Sequence, residues 1–182
     1  MVLRFRRFVV EAGAVLCVAA LTIGCAPKEA TQGGGATAAE TPPLPVASSV
    51  SIAKLDEGGY DFTYSGEYSD ADGDFDFTKV DRPVLVEFTI APGSLEGLKF
   101  KSRGEDALWI AEKAGLAEGA SPEGPYRGAE FASFATEADG MRMRVLNRND
   151  DGKLYRYALR FELNGETIAD DPDWQNGGGD DD

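Results

Sequence analysis

The chain has 182 residues, 42% hydrophobic and 10% aromatic, enough for one domain with a core of its own plus tails. Its net charge of −14 repels nucleic acid and anionic lipid headgroups, so nucleic-acid binding is not expected. It contains no histidine, which removes Ser-His-Asp and Cys-His catalysis and any zinc or copper site built on imidazole.

From the N-terminus, Arg4, Arg6 and Arg7 form a positive start, and residues 12–24 form an apolar run without a charge. A small residue, Gly24, precedes Cys25. This is the grammar of a secretory signal, with an apolar run too short to span a bilayer. Only two cysteines occur, Cys17 inside the apolar run and Cys25 after it. Removal of residues 1–24 leaves Cys25 alone, so the domain is expected to stand without a disulfide. It also leaves the remainder two charges more negative.

The segment Leu21-Thr22-Ile23-Gly24-Cys25 resembles a lipobox, the signal of bacterial lipoproteins. Leu21 stands one place further back than in the commonest form. The resemblance implies cleavage before Cys25, a diacylglyceryl group on its sulfur and often an acyl chain on its new amine. More than one chain is what firm anchoring requires. Ala26 occupies the place where Asp retains lipoproteins in the inner membrane of enteric bacteria, so the resemblance favours the outer membrane.

Residues 26–49 are small, Pro-rich and Gly-rich, and read as a flexible tether. A coil of that length spans about 25–30 Å. The expected layout is a signal over 1–24, a tether over 25–49, a β-sandwich domain over 50–172 and an acidic, Gly-rich tail over 173–182.

Within the domain, strands are read from period-two alternation at Tyr60–Tyr64, Phe75–Phe77, Val84–Ile90, Leu98–Lys101, Phe131–Phe134, Met141–Leu146, Leu154–Leu163 and Glu166–Ala169. Turn dipeptides separate them: Asp72-Gly73, Pro92-Gly93, Asp139-Gly140, Asp151-Gly152 and Asn164-Gly165. Met141–Leu146 and Leu154–Leu163 read as a hairpin, with a third strand after Asn164-Gly165. Ala107–Ala114 fits a short helix near 105–115 as well as a strand. The fold class is all-β, an antiparallel β-sandwich, with an immunoglobulin-like arrangement among those left open. The aromatics at alternating places are expected in the core. Asp170–Asp182 is expected to fray, with Pro172 and Trp174 the residues that would dock.

The run from Tyr155-Arg156-Tyr157 through Asn164-Gly165 to Asp171-Pro172-Asp173-Trp174-Gln175-Asn176 resembles the ending of small bacterial β-sandwich proteins of unknown function. The resemblance covers residues 155–176 and implies a fold, not an activity.

The sharpest local feature is Asp70, Asp72, Asp74 and Asp76, four carboxylates at alternate positions. Alternate acids in a tight loop can converge on calcium, and the string partly resembles an Asp-x-Asp-x-Asp-Gly loop. Phe75 stands where that loop needs glycine, and Asp81 stands at the twelfth place, where a bidentate Glu is usual. A solvated acidic turn is therefore the preferred reading, and calcium the minor one. Asn147–Gly152 matches the opening of such a loop, but its twelfth place is Ala158, and a hairpin turn explains it. No other cofactor is expected. The functional expectation is a lipid-anchored binding or structural module of the cell envelope, held at the membrane through Cys25 and partnered by an envelope protein, and not an enzyme. The alternative is a carboxylate-based hydrolase, for which a deep pocket holding paired carboxylates of split pKa would be the sign.

Overall fold

The computed structural model describes residues 41–178. The signal sequence, Cys25 and most of the expected tether lie outside the described residues. Eleven strands make two sheets. They are β1 (Leu44–Lys54), β2 (Tyr60–Gly66), β3 (Phe75–Asp76), β4 (Val84–Ile90), β5 (Lys99–Phe100), β6 (Leu108–Glu112), β7 (Phe131–Thr136), β8 (Arg142–Asn147), β9 (Leu154–Leu163), β10 (Glu166–Asp170) and β11 (Asp173–Gln175). A single helical turn, α1 (Gly104–Ala107), precedes β6.

The first sheet runs β2-β1-β4-β8-β7. The second is built on β9, the longest run of alternating residues after β1. Along one side of β9 lie β10 and then β11, and along the other β6 and β5. β3 pairs outside β11. The all-β sandwich read from the alternation is the architecture observed.

Alternation explains which side of each strand faces inward. In β4, Val84, Val86, Phe88 and Ile90 are buried, and in β9 Tyr155, Tyr157, Leu159, Phe161 and Leu163. These two rows form the facing walls of the core. Trp174 of β11 is 0% exposed and sits among Phe75, Phe77, Phe131 and Tyr157, with ring centroids 4.7, 5.5, 5.3 and 5.7 Å away. Such offset and edge-on pairs stabilise beyond the area they bury.

Several expectations are corrected. β1 begins at Leu44, inside the stretch assigned to the tether. Val46, Ser48, Val50 and Ile52 point inward, but Ser48 and the small outward residues Ala47, Ser49 and Ser51 mask the alternation. Pro45 is tolerated because β2 begins to pair only at Ser48, so at Pro45 the strand has one neighbour. The acidic tail does not begin at 173 either, because burial of Trp174 draws Asp173–Gln175 into the second sheet.

β8 and β9 do not form a hairpin. β8 pairs with β4 and β7, β9 belongs to the other sheet, and residues 148–153 cross between them. The pairing is not wholly antiparallel, since β1 runs parallel to β4 and β11 parallel to β3. Of the helix or strand left open near 105–115, the structure has one helical turn at Gly104–Ala107, a strand over Leu108–Glu112 and a 3-10 turn at Lys113–Gly115. From Leu108 the chain is extended, because Leu108 and Ile110 face the core at alternate positions while pairing with β9.

Gly104 sets α1 against the edge strand β7. A Cβ there would lie 2.4 Å from the Phe134 carbonyl carbon. Gly104→Ala is expected to cost about 1–3 kcal/mol through this backbone clash. Trp174→Ala is expected to cost about 3–5 kcal/mol by emptying the centre of the aromatic cluster. Urea unfolding followed by far-UV circular dichroism measures both.

Candidate functional site

The acidic loop is a self-bonded turn. Asp72-Gly73 forms its tip, with Gly73 at φ +91° and its N–H donating to the Asp70 carbonyl at 3.2 Å. Asp70 Oδ1 accepts from the backbone N–H groups of Asp72 (3.0 Å) and Asp74 (2.9 Å). Asp76 Oδ1 accepts from the N–H and hydroxyl of Thr78, at 3.0 and 2.6 Å, and these bonds hold its carboxyl below the usual range. Asp74 Oδ1 accepts from the backbone N–H of Asp173 at 2.6 Å. Asp72 is exposed at the tip. The structure thus gives three of the four predicted ligands separate backbone partners and leaves Asp72 in solvent. Among the described residues, no group of three or more acidic or cysteine side chains is placed to hold a metal ion. Asp81 lines a different feature, the cleft described below.

What the loop does hold is the segment at Pro172 and Asp173. The Tyr157 hydroxyl donates to the Gly73 carbonyl at 2.7 Å, and Gly73 is packed so closely on the Tyr64 ring and Pro172 that a Cβ would meet both under 3.0 Å. Burial raises the pKa of both tyrosines well above the ordinary value, with Asp170 among the charges that add to it, so both hydroxyls stay neutral. Burial likewise raises the pKa of Asp170.

A second constellation lies where the chain crosses from β8 to β9. Four polar side chains are buried there: Glu130 (6% exposed), Asn147 (0%), Asn149 (2%) and Asn176 (1%). Asn176 Nδ2 donates to Glu130 Oε1 at 2.8 Å and to Asp151 Oδ1 at 2.9 Å, while its own carbonyl accepts from Asn147 Nδ2 at 2.8 Å. Asn147 Oδ1 accepts from the Asn149 N–H at 3.0 Å. Asn149 in turn donates to the Val80 carbonyl at 2.7 Å and accepts from the Gly177 N–H at 2.8 Å. Gly177 has to be glycine, since a Cβ would sit 2.5 Å from the Phe77 carbonyl oxygen. One amide network therefore ties together the start of β7, the end of β8, the crossover, the segment after β3 and the chain beyond β11.

The two carboxyls on Asn176 are shifted in opposite directions. Burial pushes Glu130 up to about 7; the Asp150 N–H opposes this, and the charges of Asp151 and Asp150 add to it. Burial also acts on Asp151, but there the Tyr155 hydroxyl at 2.5 Å, the Asn176 amide and Lys153 outweigh it and hold the carboxyl below its ordinary value. This is the split pair that the hydrolase alternative called for. Its surroundings are not those of a reactive pocket. Both carboxyls are bonded to one amide, and Glu130 is nearly inaccessible. A cleft of about 650 Å³ lies beside the crossover, lined by Pro42, Pro43, Asp81, Arg82, Arg148 and Asp150 among others, but neither Glu130 nor Asp151 is in its wall.

Of this cluster, Asn147 and Asn149 stand out in the sequence only as members of a turn, and Asn176 only as the close of a fold-like string. Glu130 carries no local signal at all. Its partner Asn176 is 46 residues away. In comparisons with known proteins, no family model matches the chain and no curated protein is significantly similar.

Asn176→Ala is expected to cost about 1–3 kcal/mol in chemical unfolding, because it takes a donor from buried Glu130 and from half-buried Asp151 and leaves the buried Asn147 amide without its acceptor. Asp70→Ala is expected to cost about 1 kcal/mol in the same measurement, since that carboxylate satisfies two backbone donors of the loop.

Proposed function

We propose that the protein is a lipid-anchored module of a bacterial cell envelope, binding or bracing another envelope component through its β-sandwich, and not an enzyme. The observation that carries the reading is the sequence from Arg4 to Cys25: a positive start, an apolar run of signal length and a lipobox-like close. Among the described residues, no helix is long and apolar enough to cross a membrane. β1 begins at Leu44, so residues 26–43 join Cys25 to the folded domain, a shorter link than composition suggests. The favoured location is the outer membrane, following Ala26.

The non-catalytic half of the reading draws support from where the carboxylates are spent. Asp70, Asp74 and Asp76 organise the backbone, and Glu130 and Asp151 clasp Asn176. Groups committed to holding the fold are poor candidates for moving protons on a substrate.

Cys25→Ser tests the anchor. The expected outcome is transfer of the protein from the membrane fraction to the soluble fraction, or accumulation of the uncleaved chain, with loss of the acyl mass in intact-protein mass spectrometry. A variant with unchanged mass and unchanged partition would overturn the reading. Density separation of the parent's membranes then distinguishes outer from inner membrane.

A further inference from the structure

The amide network holds more than a fold contact. Three carboxyl groups face one another where the chain crosses between sheets: Glu130 at the start of β7, and Asp150 and Asp151 in the crossover. The guanidinium of Arg148 pairs with Asp150 at 2.7 Å, and the Lys153 ammonium pairs with Glu112 at 2.5 Å. Among the described residues, no lysine or arginine makes an ion pair with Glu130. The remaining titratable groups against the cluster are hydroxyls. Tyr126 accepts from the Glu130 N–H at 3.3 Å, and Tyr155 donates to Asp151. The Asp150 N–H also reaches Glu130 Oε1, at 3.3 Å.

We infer that Glu130 is a proton-operated clasp on the segment after β11: protonated, it shares Asn176 with Asp151 and holds residues 176–178 against the crossover; ionised, it brings a buried negative charge beside that of Asp151 on the same amide and loosens them. The bonds at stake are local. The Asn176 N–H donates to the Lys153 carbonyl (3.0 Å), the Gly152 N–H to the Gly177 carbonyl (2.8 Å) and the Gly177 N–H to Asn149 Oδ1 (2.8 Å). The segment follows directly on β11, which lies between β9 and β3, so the clasp governs how firmly the inserted strand is held at its C-terminal end.

The direction with pH follows from linkage. Glu130 has a folded pKa of about 7 against an ordinary 4.5, so the closed form carries an extra proton between those values. Its contribution is fully present below about pH 4.5 and is lost as pH rises through 7. Asp151, lowered from its ordinary 3.8, works in the other direction, and its contribution fades only as pH falls below that value. The clasp is therefore tightest near pH 5 and opens toward pH 8.

Hydrogen exchange on the intact processed protein, corrected for the intrinsic pH dependence of exchange, reads this directly. Protection at the amides of Asn176, Gly177 and Gly152 is expected to fall by about tenfold or more between pH 5.5 and 8.0, while the amides of β4 hold theirs. Glu130→Gln keeps the acceptor and removes the charge, so its protection at pH 8.0 should match the parent's at pH 5.5 and vary little between the two. Asp150→Asn removes a facing charge and should move the parent's midpoint to lower pH, which tests the idea even if the glutamine variant folds poorly. Equal protection of the parent at both pH values would overturn the proposal. So would a fall that survives in Glu130→Gln, or a midpoint unmoved by Asp150→Asn.

Discussion

The indole of Trp174 is the contact on which the rest of this fold turns. Only three residues make up β11, yet that strand separates β9 from β3 and delivers the largest side chain of the core to the point where Phe75, Phe77, Phe131 and Tyr157 converge. A three-residue strand has too few ladder bonds to hold itself. It stays because its neighbours hold it from both ends. Upstream, Asp74 accepts the Asp173 N–H, Lys113 and Arg156 pair with the Asp173 carboxylate, and Pro172 packs on Gly73. Downstream, Asn176 and Gly177 enter the buried amide network. The acidic loop and the polar cluster are thus two halves of one task, although they lie far apart in the chain.

The strong acidity of the protein takes on a structural meaning in this setting. Carboxylates of the acidic loop and the crossover act as acceptors for backbone N–H groups that a short strand and tight turns leave unpaired. Aspartate suits this work, since its short side chain reaches the N–H two residues on. The cost is repulsion among neighbouring acids. It is met where donors are dense, as at Asp151, and not where they are sparse, as at Glu130.

Much of the fold was legible because alternation in an exposed-versus-buried sheet writes itself into sequence. β4 and β9 show it cleanly, each inward position being apolar and bulky. β1 did not show it, because an inward serine and a row of small outward residues look like linker. β6 did not, because Ala107 and Leu108 are both buried where helical turn gives way to strand, and a run of apolar residues does not declare its period. Which sheet a strand joins was harder still. The turn between β8 and β9 has hairpin chemistry, but Asn147 and Asn149 spend their side chains on buried partners and the chain crosses over instead. The polar cluster was hidden for the same reason: Glu130, Asn147, Asp151 and Asn176 meet only after both sheets have formed, and no spacing rule connects them.

The direction of β1 has a mechanical side. Leu44 through Val50 lie parallel to Val84 through Ile90, so the strand enters the sheet alongside β4 and pointing the same way. A pull on the chain ahead of Leu44, with the far end of the sandwich held, would drag β1 lengthwise past β4 and β2. Its cross-strand bonds would then bear the load together, in shear, rather than break singly in succession as in a peeled hairpin. Such a load would fall on the ladders that join β1 to β4 and β2.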